Sequence, residues 1–446
     1  MKRNQKAIFL VSVIMVLAML AGCTSPTAPA TSQGAQADPV RLTYWHENAG
    51  PDRTPIFENL INTFNESNGQ NITVEYVGIP SDSALDKINV AIAAQATPDA
   101  GGVWDSWTSD IIAQGAAVQL DDYFDAWDEK DMFVDAIMQT VRSKTIEGNM
   151  FYMPYSSSTS VIWYRKDMFG DNAPPDTWEE FFPLVEALND PANNIYGYSI
   201  RGGSGGAKQL LRNIISYVGR PEFFDADGKS LLRSPEALEY VTKYTDLYKN
   251  KLTPSSDMTA GWKEIVANFG SGVTPMILHN LGSLIDHQRV LEDDQYGAIP
   301  LPKDVNGKYT ATPLTVNGGL IYSTCKNPDA AWMLLQHIAS KDGVSSINQS
   351  TGEIPPRTDA LESEWVKNAP HLELITPFIV DDTKVIIDEP RYLAEYATIE
   401  AQIAQPGFQE VMAGKKSPAD FLNEWADALE KSNEQYLALV SGSGTR

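Results

Sequence analysis

Arg41-Leu42-Thr43-Tyr44-Trp45, then Ile72-Thr73-Val74-Glu75-Tyr76-Val77, then Gly101-Gly102-Val103-Trp104 are three extended runs spaced by helical patterns, and they decide the fold. The first two are rich in β-branched and aromatic residues, as strands are. The third reads as a short buried strand. Between the first and second, Pro55 to Asn65 puts Ile56, Leu60, Ile61 and Phe64 on one helical face. Between the second and third, Ser83 to Ala94 does the same with Leu85, Ile88 and Ile92. Another helix begins over Asp110 to Gln114. This alternation predicts an α/β fold of parallel sheets covered by helices. Further helices are expected over Trp178 to Leu188, Pro235 to Asn250, Pro328 to Ser340 and Pro418 to Tyr436, several opening near Pro or a capping side chain.

Upstream, residues 1–22 form a leader. Lys2, Arg3 and Lys6 precede an apolar run from Ala7 to Leu20, and Leu20-Ala21-Gly22-Cys23 closes it. Charge, apolar core and small residues in that order read as a secretory signal. The apolar run is also short of the roughly 20 residues a bilayer span needs. Leu-Ala-Gly-Cys resembles the bacterial lipobox, which makes Cys23 the expected lipidation site and places the rest on the outer face of the cell membrane. Residues 23–39, built from Thr, Ser, Pro, Ala, Gly and Gln, read as a flexible tether.

The remaining 400 or so residues imply two domains. The net charge is −24, from 58 acidic and 34 basic residues. Such a chain is a poor candidate for nucleic acid or anionic membrane surfaces. With Cys23 lipidated, Cys325 stands alone, is expected to be buried, and leaves no intramolecular disulfide.

Further motifs carry a specific resemblance. They are Pro98-Asp99-Ala100-Gly101-Gly102-Val103-Trp104, Gly115-Ala116-Ala117-Val118-Gln119-Leu120-Asp121, Gly148 to Tyr155 followed by Ile162 to Phe169, and Pro175-Asp176-Thr177-Trp178-Glu179. Phe269-Gly270-Ser271-Gly272, Gly297 to Pro302, Asn317-Gly318-Gly319 and Gly352 to Arg357 follow in order. Together with Leu42-Thr43-Tyr44-Trp45-His46, this series resembles the extracellular sugar-binding proteins of bacterial ABC importers, the maltose-binding-protein-like family. Val273 and Arg165 depart from it, where lysine and asparagine are common. The resemblance implies two α/β lobes joined by crossing strands, with ligand in the cleft. Lobe one would be 40–153 plus 311–355, and lobe two 154–310 plus 356–440. Crossovers would lie at Met153-Pro154, Pro302 to Thr312 and Ile354-Pro355.

A sugar offers apolar C–H faces and a rim of hydroxyls. Aromatic planes bury the first, and carboxylates, amides and Arg meet the second. Ligands in open α/β sheets bind beyond the carboxyl ends of strands. Trp45 and Glu47 follow one strand, and Trp104, Asp105 and Trp107 another, so both stretches point toward a cleft; for Trp45 and Trp104 a core position is the competing reading. Tyr155 follows a hinge, and Asn280 an apolar strand. Trp262 opens a helix where the family often places a stacking aromatic. Gly318 and Gly319 would let a ligand approach backbone amides or would simply form a tight turn. Arg201 and Arg357 complete the ligand-binding candidates.

Gly202-Gly203-Ser204-Gly205-Gly206 matches a nucleophile-elbow pattern, but four glycines around one serine satisfy it by composition. A Gly-rich loop lining the cleft is the preferred reading. Asp225-Ala226-Asp227-Gly228 departs from a calcium loop, with its glycine early and Lys229 at a ligand position. No metal motif, Walker loop or cofactor motif occurs. The expectation is therefore a monomeric, lipid-anchored, non-enzymatic subunit. It would bind a carbohydrate, a neutral one by its aromatic and acidic candidates, and partner permease subunits with a cytoplasmic ATPase. The alternatives are a secreted glycan-cleaving enzyme using Glu47 and Asp105, or a binding protein for a solute such as glycerol phosphate.

Overall fold

Tyr44 shows how the first sheet is assembled. It lies in β1 (Val40–His46), opposite Tyr76 of β2 (Ile72–Gly78) and Ala100 of β3 (Ala100–Val103), and both pairings are parallel. α1 (Thr54–Ser67) and α2 (Ser81–Ala93) make the connections that parallel neighbours require. The computed structural model describes residues 39–145, 147–309, 314–380, 389–393 and 395–443. The leader and Cys23 lie outside the described residues. Among the described residues no helix is long and apolar enough to cross a membrane.

Two more strands complete this sheet from further along the chain, β4 (Met153–Ser158) and a late strand at Thr315–Ile321. The intervening strands are β5 (Ser160–Arg165), β6 (Met276–Asn280) and β7 (Tyr296–Pro300), so the late strand is β8. The order is β2-β1-β3-β8-β4 in the first sheet and β6-β5-β7 in the second. β8 runs antiparallel to both β3 and β4, and β5 antiparallel to both its neighbours. The expected parallel sheets are thus a mixed sheet and an antiparallel one. α1 joins the neighbours β1 and β2 and α2 carries the chain past β1 to β3, whereas β8 enters from the other sheet and runs antiparallel to β3.

The chain changes sheets at Thr159, between β4 and β5. Met153 and Pro154, near which a crossover is expected, sit inside β4 opposite Gly319 and Gly318. The return from β7 to β8 spans the expected Pro302–Thr312 region, of which residues 310–313 are outside the described set. Ile354 bridges Ser157 of β4.

The period-2 alternation of β5 divides the interior. Val161 and Trp163 face one core, shared with β1, β3 and β8; Ile162 faces a second. The second core is built by α5 (Trp178–Ala187), α6 (Gly206–Val218), α7 (Pro235–Lys249) and the C-terminal helices Gln405–Met412 and Pro418–Ser443. Thr177 caps α5 through the Glu180 amide, with Glu180 reaching back. α3 (Asp105–Ala113) begins five residues before the helix start expected at Asp110, so Asp105 sits in its first turn. Tyr196 to Ile200 makes only one isolated bridge, Ser199 to Ile277. Cys325 is half-buried rather than buried, and burial pushes its thiol up to about 11.

Candidate ligand cleft

Strand ends deliver the first wall. β1 runs out into His46 and Glu47, and β3 into Trp104 and Asp105. Glu47 is only 2% exposed and its carboxylate lies against Gly102, where a Cβ would collide with it. Tyr155 of β4 donates to Glu47 Oε1 at 2.9 Å. Burial pushes Glu47 up to about 7, against the pull of that hydrogen bond and of Arg53. Glu353 accepts from Ser156 Oγ at 2.9 Å and from Arg53 at 3.4 Å. It also comes close to Gly282, beside Asn280 at the end of β6.

Asp105 centres a chain of buried ion pairs. Lys144 Nζ lies 2.7 Å from Oδ1, with both side chains 1% exposed. Arg391 pairs with Oδ2. Arg391 Nε is also 3.0 Å from Glu389, whose other oxygen is 2.6 Å from Arg212 Nε. Tyr396 donates to Glu389 at 2.9 Å, Arg212 to Thr315 Oγ1 at 3.3 Å. Asn317 of β8 accepts from the Asp105 amide at 3.3 Å. Asp105 belongs to α3 beside the first core and Arg212 to α6 in the second, so Lys144–Asp105–Arg391–Glu389–Arg212 links the two walls. Trp104 and Trp107 stack beside it, with centroids 4.8 Å apart.

The second wall carries Arg201, whose Nε donates to Ser204 O at 2.6 Å. Its guanidinium lies over Gly205, where φ is +77° and a Cβ would strike it. Gln405 and Gln409 both donate to Gly202 O, fixing this glycine-rich loop to the C-terminal helices. Ser204 is exposed with no histidine among its hydrogen-bond partners. Trp262 is 39% exposed and stacks on His279 at 5.9 Å and 18°. It opens α8 (Trp262–Gly270).

The structure therefore groups Glu47 with Tyr155, Asp105 with Trp104 and Trp107, and Arg201 near Trp262 and His279. It places four candidates elsewhere. Trp45 is half-buried with Lys87 of α2 4.5 Å from its ring centroid. Gly318 and Gly319 are buried, with a Cβ at Gly318 coming 2.6 Å from Tyr152 and one at Gly319 2.6 Å from Leu335, so protein occupies the space reserved for a ligand. Arg357 is committed to Asp359 and Glu129 and stacks over Trp127 and Phe133. Lys144, Lys208, Arg212, Glu389, Arg391 and Asn317 are polar groups of this region absent from the sequence candidates. Lys208 and Arg212 did carry a signal: they are the two residues of α6 that are not buried. A helix otherwise buried on every side makes its cations informative. Among the described residues no cluster of three or more His, Cys, Asp or Glu could hold a metal.

Known proteins agree with this architecture. A putative binding protein of Brucella abortus is 25% identical over 365 residues, covering 79% of this chain and 84% of its own. A maltotriose-binding protein of Pyrococcus abyssi is 23% identical, over 76% of this chain and 71% of its own. The GacH receptor of Streptomyces glaucescens, solved unliganded and with acarbose, superposes with a TM-score of 0.74 at 19% identity, over 88% of this chain and 98% of its own. A family model described as bacterial extracellular solute-binding protein matches residues 59–374. The chain belongs to the bacterial extracellular solute-binding proteins, with their two-lobed α/β fold.

Proposed function

We propose that this chain is the substrate-binding subunit of an ABC importer. It captures a sugar or oligosaccharide between its lobes and delivers it to a membrane permease driven by a cytoplasmic ATPase. The observation that carries this reading is the ion-pair chain from Lys144 to Arg212, which brings polar groups of both walls to one buried place beside the Trp104–Trp107 stack. Such a set meets hydroxyls with charge-assisted hydrogen bonds and ring faces with indoles. The lobes divide at the β4–β5 and β7–β8 crossings, and a few residues there serve as hinges. Cys23 bears the lipid that holds the monomer at the membrane. The protein binds without turnover: Asp105 is held by Lys144 and Arg391, and Glu47 sits beneath Gly102, so neither is presented as a glycosidic acid or base.

A thermal-shift screen against a sugar panel tests the reading, since a ligand that binds only the folded state raises the midpoint. Small-angle scattering with a sugar that scores should show a smaller radius of gyration, as closure alone lets both walls touch one ligand. A saturating sugar that leaves the scattering curve unchanged points to a rigid lectin-like binder. Release of a hydrolysed product points to the enzyme reading. Cys23→Ser should abolish partition into detergent phase.

A further inference from the structure

We infer that the carbohydrate this cleft accepts carries an anionic group, a carboxylate or a phosphate, bound by Arg201 and Lys208. The inference rests on the sugar-binding reading above and narrows it. α6 opens directly after the glycine-rich loop, and eleven of its thirteen residues are buried. Of the other two, Arg212 is matched by Glu389. Lys208 forms no ion pair with any described carboxylate, although Glu389 and Glu400 act on it from farther away. Arg201 donates from Nε to the Ser204 carbonyl and likewise forms no ion pair with a carboxylate among the described residues.

Both cations are half-buried. Burial pulls the Lys208 ammonium down and the Arg201 guanidinium to about 10, outweighing the carboxylates that act on them, Glu389 and Glu400 on Lys208 and Glu400 and Glu264 on Arg201. Of the carboxylates nearby, Asp105 is committed to Lys144 and Arg391 and Glu389 to Arg391 and Arg212, while Glu400, which acts on both cations, is itself pushed up by burial and so disfavoured as an anion. A partly buried cation without a partner is costly, and here two sit at the start of one helix, Arg201 over Gly205 and Lys208 in the first turn of α6, in a chain whose net charge is −24. A ligand anion would match them. Lys144 lies near enough to act on Lys208, which puts Lys208 toward the first wall, and Arg201 acts on His279, which puts it beside the exposed Trp262. A sugar ring on the Trp262 face would direct its acidic substituent to these two cations. Charge-assisted hydrogen bonds of this kind are roughly twice as strong as neutral ones. The aromatic and acidic candidates favour a neutral sugar; the cations revise that expectation.

Isothermal titration of the full chain at two salt concentrations decides the matter. The probes are matched pairs of neutral and uronate-bearing disaccharides, together with sn-glycerol 3-phosphate. At least one anionic probe should bind a hundredfold or more tighter than its neutral counterpart, and its affinity should fall as salt rises. Tight uronate binding assigns the anion as carboxylate, and tight glycerol phosphate binding as phosphate. Arg201→Gln and Lys208→Gln should each weaken that probe at least tenfold. Lys208→Gln should keep or raise the unliganded melting midpoint, because it removes a half-buried charge that forms no ion pair with a described carboxylate, and this separates lost binding from lost folding. A neutral disaccharide that binds as well as its uronate overturns the inference and leaves the sugar-binding reading standing. Unchanged anion affinity in both variants also overturns it. Failure of every probe, neutral and acidic, overturns both.

Discussion

The two walls of the cleft are built by different means. The first comes from strand ends, where Glu47, Asp105 and Tyr155 are delivered by β1, β3 and β4, and it is aromatic and acidic. The second comes from a loop, a helix face and a C-terminal segment, where Arg201, Lys208, Arg212 and Arg391 collect, and it is cationic. Glu47 and Glu389 make the contrast sharp. Both are almost fully buried glutamates. Burial dominates at Glu47 and pushes its carboxyl up to about 7. At Glu389 burial also acts, but Arg212 and Lys208 outweigh it and hold the carboxyl below its ordinary range. The same side chain is thus disfavoured as an anion in one wall and required as one in the other.

The largest effect should come from Glu389→Ala. It strands Arg212 and Arg391, both mostly buried, and removes the acceptor for Tyr396. Breaking a buried pair from one side costs about 3–5 kcal/mol. Urea unfolding at neutral pH should show that loss. Because the folded pKa is depressed, the contribution of Glu389 is present above its unfolded value and disappears as pH falls through the folded one. The stability difference between parent and variant should therefore shrink in acid. A loss below about 1 kcal/mol at pH 7 would mean that the cationic wall does not need its carboxylate.

Glu47→Gln should act with the opposite sign. A folded pKa of about 7 lies above the unfolded value near 4.5, so the folded state holds a proton that the unfolded state has released. Stability then falls as pH rises across that window, by roughly 3 kcal/mol in all. The groups acting on the carboxylate are Tyr155, which hydrogen-bonds it, and the nearby Arg53 and Glu353. Glutamine keeps an acceptor for the Tyr155 hydroxyl and cannot ionise. The variant should be more stable than the parent at pH 8, equal to it near pH 4, and should lack the slope between. Parallel stability curves for the two proteins from pH 4 to 8 would remove the distinction between the walls.

This asymmetry also explains what could be read in the sequence. β1, α1, β2, α2 and β3 were legible within one or two residues because local periodicity dictates them. Asp105 was legible as a candidate because strand ends point at clefts in this class of fold, and Tyr155 because it follows an expected hinge. Strand direction was not, since β8 reaches β3 only after more than two hundred intervening residues. Arg391 was not, because its role depends on meeting Asp105 from a distant segment. Gly318 and Gly319 misled for a related reason: a glycine that admits a ligand and one that admits Tyr152 or Leu335 look alike in one dimension. Lys208 and Arg212 were legible in principle as the two charged residues of α6.

Trp262 gives an intermediate effect and isolates binding from folding. Its indole is 39% exposed, stacks on His279 and has the Lys263 ammonium 5.6 Å from its ring centroid, so little of the core depends on it. Trp262→Ala should weaken a bound sugar about tenfold, since an aromatic face against an apolar face is worth roughly 0.5–1.5 kcal/mol beyond its buried area. The melting midpoint of the unliganded protein should barely move. Asp105→Ala makes a poorer test, because it leaves Lys144 and Arg391 unpaired and lowers stability together with affinity. Unchanged sugar affinity in Trp262→Ala would move the ring-binding face to Trp104 and Trp107.

The smallest effect is expected at the rim. Arg289, just past the helix Leu284–Gln288, pairs with Asp52 in the loop after β1 and with Asp286 at 2.9 Å. Asp52 and Arg289 are 44% and 48% exposed, in contrast to the buried chain around Asp105. An exposed pair contributes about 0–1 kcal/mol, and salt screens it. If the Arg289–Asp52 pair forms only when the lobes close, Arg289→Ala weakens the closed state by that amount. Sugar affinity should then fall by less than about fivefold at low salt and become indistinguishable from the parent at about 1 M, where the Debye length is near 3 Å. The urea midpoint should stay within error of the parent. A stability loss as large as that of Glu389→Ala would show that exposure does not separate rim from cleft. An affinity unchanged even at low salt would show that the rim pair takes no part in closure, leaving the buried ion-pair chain as the contact that distinguishes the closed lobes.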